Sequence, residues 1–186
     1  MRKTSPKHVI LFHGRNQDPV SKGGGPNSEK LKAIADEARV LGMEPHIANH
    51  RATNLPDERV RMAREQYGKL LREGGVILVG NSMGGYVATV LACEFSVDGL
   101  FLMAPAFFKP EYAIQSFPVR TEKIFILQGT GDEGFVENSR KFSRAVKGVS
   151  LVEVDDGHRL ETQIPTLPGR FRSFFNDVCG SPVVGA

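Results

Sequence analysis

The sequence predicts an α/β fold: helices on both faces of a mostly parallel sheet of about six strands, in three layers. Three observations carry this. Short β-rich runs alternate with longer segments of helical periodicity along the whole chain. Most of the short runs are continuously apolar, as strands buried on both faces of a parallel sheet are. Capping and breaking residues stand at the junctions between the two kinds of segment. The 186 residues suit one domain, 1–186, with a sizeable core.

The elements follow in order. Strands are expected at Val9–Phe12, Pro45–Ala48, Val76–Val79, Leu100–Met103, Ile124–Leu127 and Leu151–Val154. Between the first two, Leu31, Ile34, Ala35, Ala38 and Leu41 recur at helical spacing, with Ser28 placed as N-cap and Gly42 as terminator. Val60, Ala63, Tyr67, Leu70 and Leu71 form the next stripe. Pro56 suits its first turn, Asp57 and Glu58 favour the positive end of its dipole, and Gly74 follows its end. A third apolar helix follows Ser82. Phe135, Ser139, Phe142 and Val146 form a weaker stripe before Gly148. Leu167, Phe171, Phe174, Phe175 and Val178 form the last, before Gly180. Residues 21–29, SKGGGPNSE, read as a loop between a strand and its helix. The ends, 1–7 and 180–186, read as frayed tails.

Composition excludes several functions. Apolar residues make up 40% and charged residues 24%, the balance of an ordinary globular protein. The net charge of +3 comes from scattered basic residues mixed with acidic ones, with no basic stripe, which argues against nucleic acid as a partner. The apolar run near the N-terminus is too short for a signal sequence, and no run approaches the roughly 20 residues of a membrane span. Cys93 and Cys179 are isolated, which gives neither a disulfide framework nor a metal site. A reduced, cytoplasmic protein without a membrane partner is the expectation; a homodimer stays open.

One stretch carries chemistry: GGVILVGNSMGGYVATVLA, residues 74–92. Ser82 stands between Gly80 and Gly84, where a buried strand gives way to a helix. This is the G-x-S-x-G nucleophile elbow in its required context, although a structural turn with a polar residue reads the same locally. In an open parallel sheet, ligands gather at the carboxyl ends of the strands, where Ser82 would lie. "HIANH" spaces His46 and His50 four apart across a strand end, not on one helix face, and no third ligand is evident. No metal site is read there. Neither GNSMGG nor KGGG has the P-loop pattern. No cofactor is expected.

With three further segments, LFHGRN (11–16), FILQGTGDEGF (125–135) and LVEVDDGHRL (151–160), the chain resembles the α/β-hydrolase superfamily, in particular its small lidless serine hydrolases. The resemblance covers nearly the whole chain. It implies a minimal α/β-hydrolase fold, lacking the first two strands of larger members, and a triad in the family's order: Ser82 as nucleophile, Asp132 as acid, His158 as base. Asp132 also reads as an Asx turn or helix cap, and Glu133 is its nearby competitor. The resemblance further implies an oxyanion hole from the backbone N–H groups of Met83 and Arg15, with the His13 side chain propping the turn. About twenty residues separate Met103 from Ile124, too few for the large helical cap of many relatives, so an open site is expected.

Substrate-binding candidates are fewer. Phe107 and Phe108, with Tyr112 and Phe117, offer an apolar wall or merely cover the sheet. Arg51, or the Arg15 side chain, would suit an acidic group on a substrate. The resemblance implies a carboxylic ester or thioester hydrolase acting through an acyl-enzyme on a small-molecule substrate. Amidase or acyltransferase chemistry with the same triad, or a binding protein that keeps the fold, are the alternatives.

Overall fold

The computed structural model describes residues 5–15 and 28–180. Six strands form one sheet in the order β2-β1-β3-β4-β5-β6: β1 (His8–Phe12), β2 (Glu44–Ala48), β3 (Val76–Asn81), β4 (Gly99–Met103), β5 (Ile124–Gly129) and β6 (Val149–Val154). All five pairings are parallel. Five α-helices connect and cover them: α1 (Glu29–Val40), α2 (Pro56–Glu73), α3 (Met83–Glu94), α4 (Val136–Ala145) and α5 (Leu167–Cys179).

Alternation along each strand sorts side chains between two cores. Val9 and Leu11 pack with α1 and α5 on one face, together with Ile77, Val79 and Phe101. Ile10 and Phe12 pack with α2, α3 and Phe142 of α4 on the other, together with Leu78, Leu100 and Leu102. β3 and β4 are buried along their whole length, which is why they carry no polar alternation. The result is the expected three-layer sandwich.

The local signals hold. Ser28 caps α1, its Oγ accepting the Leu31 N–H at 3.3 Å. Pro56 opens α2, and Gly74 ends it with a positive φ of 78°. The sheet begins earlier than expected, because Lys7 already pairs on both sides: its N–H donates to Gly75 and its carbonyl accepts from Glu44, each at 2.8 Å. Most of the 21–29 loop, Lys22 and the ends 1–4 and 181–186 lie outside the described residues.

The strand order reverses direction around β1. The chain leaves β1 for β2 on one side and returns to β3 on the other, so the loops after β1 and β3 diverge and leave a crevice between them. The HG turn and the Ser82 elbow both lie there. The connection from β4 to β5, residues 104–123, contains no helix or strand. No helix among the described residues is long and apolar enough to cross a membrane.

Candidate active site

Ser82 is held in a conformation that side chains rarely adopt, φ 53°, ψ −119°. Such strain persists only where the surroundings fix it. Here the Ser82 N–H donates to Met103 at 3.0 Å, and its carbonyl accepts from Gly85 at 2.8 Å and Ala106 at 3.0 Å. The glycines supply clearance. A Cβ on Gly84 would lie 2.0 Å from the Phe12 carbonyl oxygen at the end of β1, and one on Gly80 would lie 2.5 Å from Gly85 Cα. The strand and helix backbones can approach this closely only without side chains at both places.

The elbow lifts Ser82 Oγ to within 2.9 Å of His158 Nε2. His158 Nδ1 in turn lies 2.7 Å from Asp132 Oδ2. Asp132 is 6% exposed; in the tautomer that donates Nδ1–H to this carboxyl oxygen, Nε2 is left to accept from serine. Asp132 Oδ2 accepts a second bond from Gln128 Nε2 at 2.9 Å, and Gln128 Oε1 accepts from Ser139 Oγ at 2.8 Å. Gln128 is wholly buried at the end of β5. The relay is therefore Ser82, His158, Asp132, Gln128, Ser139, running from half-open surface into the core. Glu133 is exposed and takes no part in it.

Two further contacts hold the histidine loop. The ring of Phe135 lies 4.9 Å from that of His158. Lys30 of α1, 1% exposed, donates from Nζ to the Arg159 carbonyl at 2.7 Å. Burial pushes the Lys30 ammonium down to about 8.

Across the crevice, a Cβ on Gly14 would lie 3.2 Å from Ser82 Cβ, so the HG turn touches the elbow. The Gly14 carbonyl accepts from His13 Nδ1 at 2.7 Å and from Arg59 Nη1 at 3.1 Å. In a trans peptide the following N–H, that of Arg15, points the opposite way. Arg59 also donates to the carbonyls of His13 at 3.1 Å and Thr53 at 2.9 Å, while its side chain is 1% exposed. His13 Nε2 accepts the His50 N–H at 3.1 Å. Desolvation by burial, with Arg59 close by, pushes both His13 and His50 down to about 4, so both rings are neutral at neutral pH. Met83 supplies the other N–H expected of the hole. As the first residue of α3, it has an N–H with no intrahelical partner.

The substrate-binding candidates divide. Phe107 is fully buried and stacks on Phe142, centroids 4.4 Å apart. It presents no surface to a substrate, and neither do Tyr112 and Phe117, at 3% and 6% exposed. The sheet-covering role fits all three. Tyr86 fixes this segment, its hydroxyl donating to Asp57 at 2.8 Å and accepting from the Ile114 N–H at 3.3 Å. Phe108 stays half-exposed, with Lys141 Nζ 4.1 Å over its ring. Arg51 is exposed on the loop after β2. Arg15 is exposed, its guanidinium 4.0 Å from Glu111. A groove of about 760 Å³ runs along α5 toward the starts of β5 and β6, and no triad residue lines it.

Sequence reasoning placed Ser139 on a helical stripe without a role and missed Gln128, Lys30 and Arg59. A signal existed for the last two. Arg59 stands one helical turn before Ala63, and Lys30 one turn before Ile34, so each falls on the buried stripe of its helix.

Comparison with known proteins agrees with this fold. No protein-family model matches the sequence, and no curated protein matches it. Solved structures do match. An alpha/beta-superfamily protein from Xanthomonas campestris pv. campestris superposes with a TM-score of 0.74 at 23% identity, over 92% of this chain and 99% of that one. An α/β serine hydrolase without a lid, from Xanthomonas campestris, gives 0.67 at 17% identity, over 98% and 86%. Alpha/beta hydrolase domain-containing protein 10 from mouse gives 0.70 at 17% identity, over 95% and 92%. The chain has the α/β-hydrolase fold.

Proposed function

We propose that the protein is a serine hydrolase that cleaves a carboxylic ester or thioester through an acyl-enzyme on Ser82. The observation that carries this is the unbroken relay from Ser82 Oγ to His158 Nε2, 2.9 Å, and from His158 Nδ1 to Asp132, 2.7 Å. A turn that was merely structural would not need an imidazole aimed at its serine.

The geometry supports the following course of reaction. Ser82 Oγ attacks the substrate carbonyl as His158 Nε2 takes its proton. Asp132, held by Gln128, keeps the ring in the Nδ1–H tautomer and stabilises the imidazolium. The developing oxyanion accepts from the N–H groups of Met83 and Arg15. His158 returns the proton to the departing alkoxide or thiolate. Water, activated by the same nitrogen, then releases the acid and restores Ser82. Each hydrogen-bond donor of the oxyanion hole is worth about 3–4 kcal/mol of the barrier. No cofactor enters this scheme.

The side chain of His158 is 37% exposed and no helix crosses above it from residues 104–123, so the site suits small substrates that reach it from open solvent. Arg51 remains the candidate for an acidic substrate group. Arg51→Ala should lower activity on anionic esters more than on neutral ones, and equal losses would remove it. The decisive assay is a chain-length panel of activated esters and thioesters, with Ser82→Ala as control. Turnover that depends on Ser82 supports the proposal. Turnover of none, or turnover unchanged in Ser82→Ala, contradicts it.

A further inference from the structure

Away from Ser82, at the amino ends of the first two strands, three metal-ligating side chains converge. In the parallel register, His8 of β1 stands beside Glu44 of the edge strand β2, and Ile10 beside His46. Side chains two apart on a strand share a face, so His8, Glu44 and His46 are placed on one face of the sheet by register alone. It is the α2 face, because the His46 ring lies 6.2 Å from that of Tyr67. One ligand atom from each of the three lies within 4.8 Å of the others.

We infer that these residues form a binding site for one divalent transition-metal ion of the zinc class, tying β1 to edge strand β2. The two separations from His8 fit the geometry of such an ion. His8 Nδ1 and His46 Nε2 are 3.2 Å apart, so an ion about 2.1 Å from each would subtend an angle of about 100°. His8 Nδ1 and Glu44 Oε2 are 3.5 Å apart, which at about 2.1 and 2.0 Å gives an angle of about 117°. Both angles lie near the tetrahedral value. Two imidazoles and one carboxylate select zinc, cobalt, nickel or copper over magnesium and calcium, which prefer all-oxygen shells. His8 is 24% exposed and Glu44 67%, so the ion has an entry path and a fourth position for water. Comparison of His46 with His50 along the sequence could not reveal this site, because its second histidine comes from the neighbouring strand.

The same atoms also describe a plain His8–His46 hydrogen bond beside a His8–Glu44 ion pair, and the experiment separates the two. The full chain, stripped with chelator and dialysed, is titrated with Co²⁺ followed by visible absorbance, and with Zn²⁺ followed by calorimetry. Expected are one ion per chain, four-coordinate d–d bands, and a rise in melting temperature with saturating zinc. Glu44→Gln, an exposed change that leaves the fold intact, and His46→Gln should each weaken binding by at least the 10–100-fold that loss of even an outer-shell partner costs. Labelling of Ser82 by a fluorophosphonate probe should be unchanged in both. Absence of saturable binding at millimolar Co²⁺ would overturn the inference. So would binding of equal strength in wild type, Glu44→Gln and His46→Gln, which would mark adventitious binding elsewhere.

Discussion

The guanidinium of Arg59 lies 3.1 Å from the carbonyl oxygen of Gly14, in a place that water does not reach. That bond, with the one from His13, fixes the plane of the Gly14–Arg15 peptide and turns its N–H away from Arg59. A charged donor also polarises the peptide and makes its N–H a stronger donor. Arg59 thus acts as a positioning residue for the proposed oxyanion hole. Arg59→Met should lower kcat on the order of 10²-fold, as loss of one such donor does, with KM little changed. Arg59→Lys should recover part of this. A loss confined to stability, with kcat intact in the folded fraction, would assign Arg59 to scaffolding alone.

Gln128 supports the acid. Gln128→Met removes the second donor to Asp132 and leaves Ser139 Oγ without its partner. The buried network should lose about 1–3 kcal/mol of stability. The weakened anchoring of Asp132 should lower kcat about tenfold, a shift of 1.4 kcal/mol in the barrier. Urea melts and steady-state kinetics read the two effects separately.

Acid should destabilise the protein through His13 and His50. Burial holds both near 4 in the folded chain, against 6.5 when unfolded. Between those values the unfolded chain binds protons that the folded chain refuses, so stability falls as pH drops from 6.5 toward 4. The charges of Arg59 and Arg51 act in the same direction on His13. Urea melts at pH 7 and pH 5 should show lower stability at pH 5, and His50→Met should flatten the dependence. A stability independent of pH across this window would contradict the placement of these rings.

Phe107 tests the covering segment. Its full burial against Phe142 predicts that Phe107→Ala costs about 3–5 kcal/mol, with acyl-chain preference unchanged. A changed preference without loss of stability would return it to the substrate.

Gly84→Ala tests the elbow's clearance. A methyl there would lie 2.0 Å from the Phe12 carbonyl, a backbone contact that cannot rotate away. The variant should lose more than about 3 kcal/mol, and any folded fraction should label poorly at Ser82.

Much of this architecture is legible in the sequence, for a physical reason. The six strands are short apolar runs because a parallel sheet covered on both sides leaves no polar face, so Val76–Val79 and Leu100–Met103 announce themselves. Ser82 is legible because the elbow needs Gly80 and Gly84 within two residues of it. Asp132 and His158 stand out only through the family resemblance, which expects an acid and a base on the loops that follow the fifth and sixth strands. Phe107 and Phe108 were not separable, since adjacent aromatics differ only in which way the chain turns them. Arg59 was hidden because its partners, His13 and Gly14, lie some 45 residues away, and a charged residue on a helix ordinarily reads as solvated. His8 and Glu44 meet only through strand register. Asn81, beside the nucleophile, is 5% exposed, and its Oδ1 has no hydrogen-bond partner among the described residues.

The central claim is that Ser82 is an activated nucleophile, and a fluorophosphonate probe tests it most directly. The account predicts one covalent adduct per chain, mapped to Ser82 by mass spectrometry. The adduct should be absent in Ser82→Ala and formed far more slowly in His158→Ala. A well-folded wild-type protein that takes no label, or that labels equally after Ser82→Ala, would contradict it.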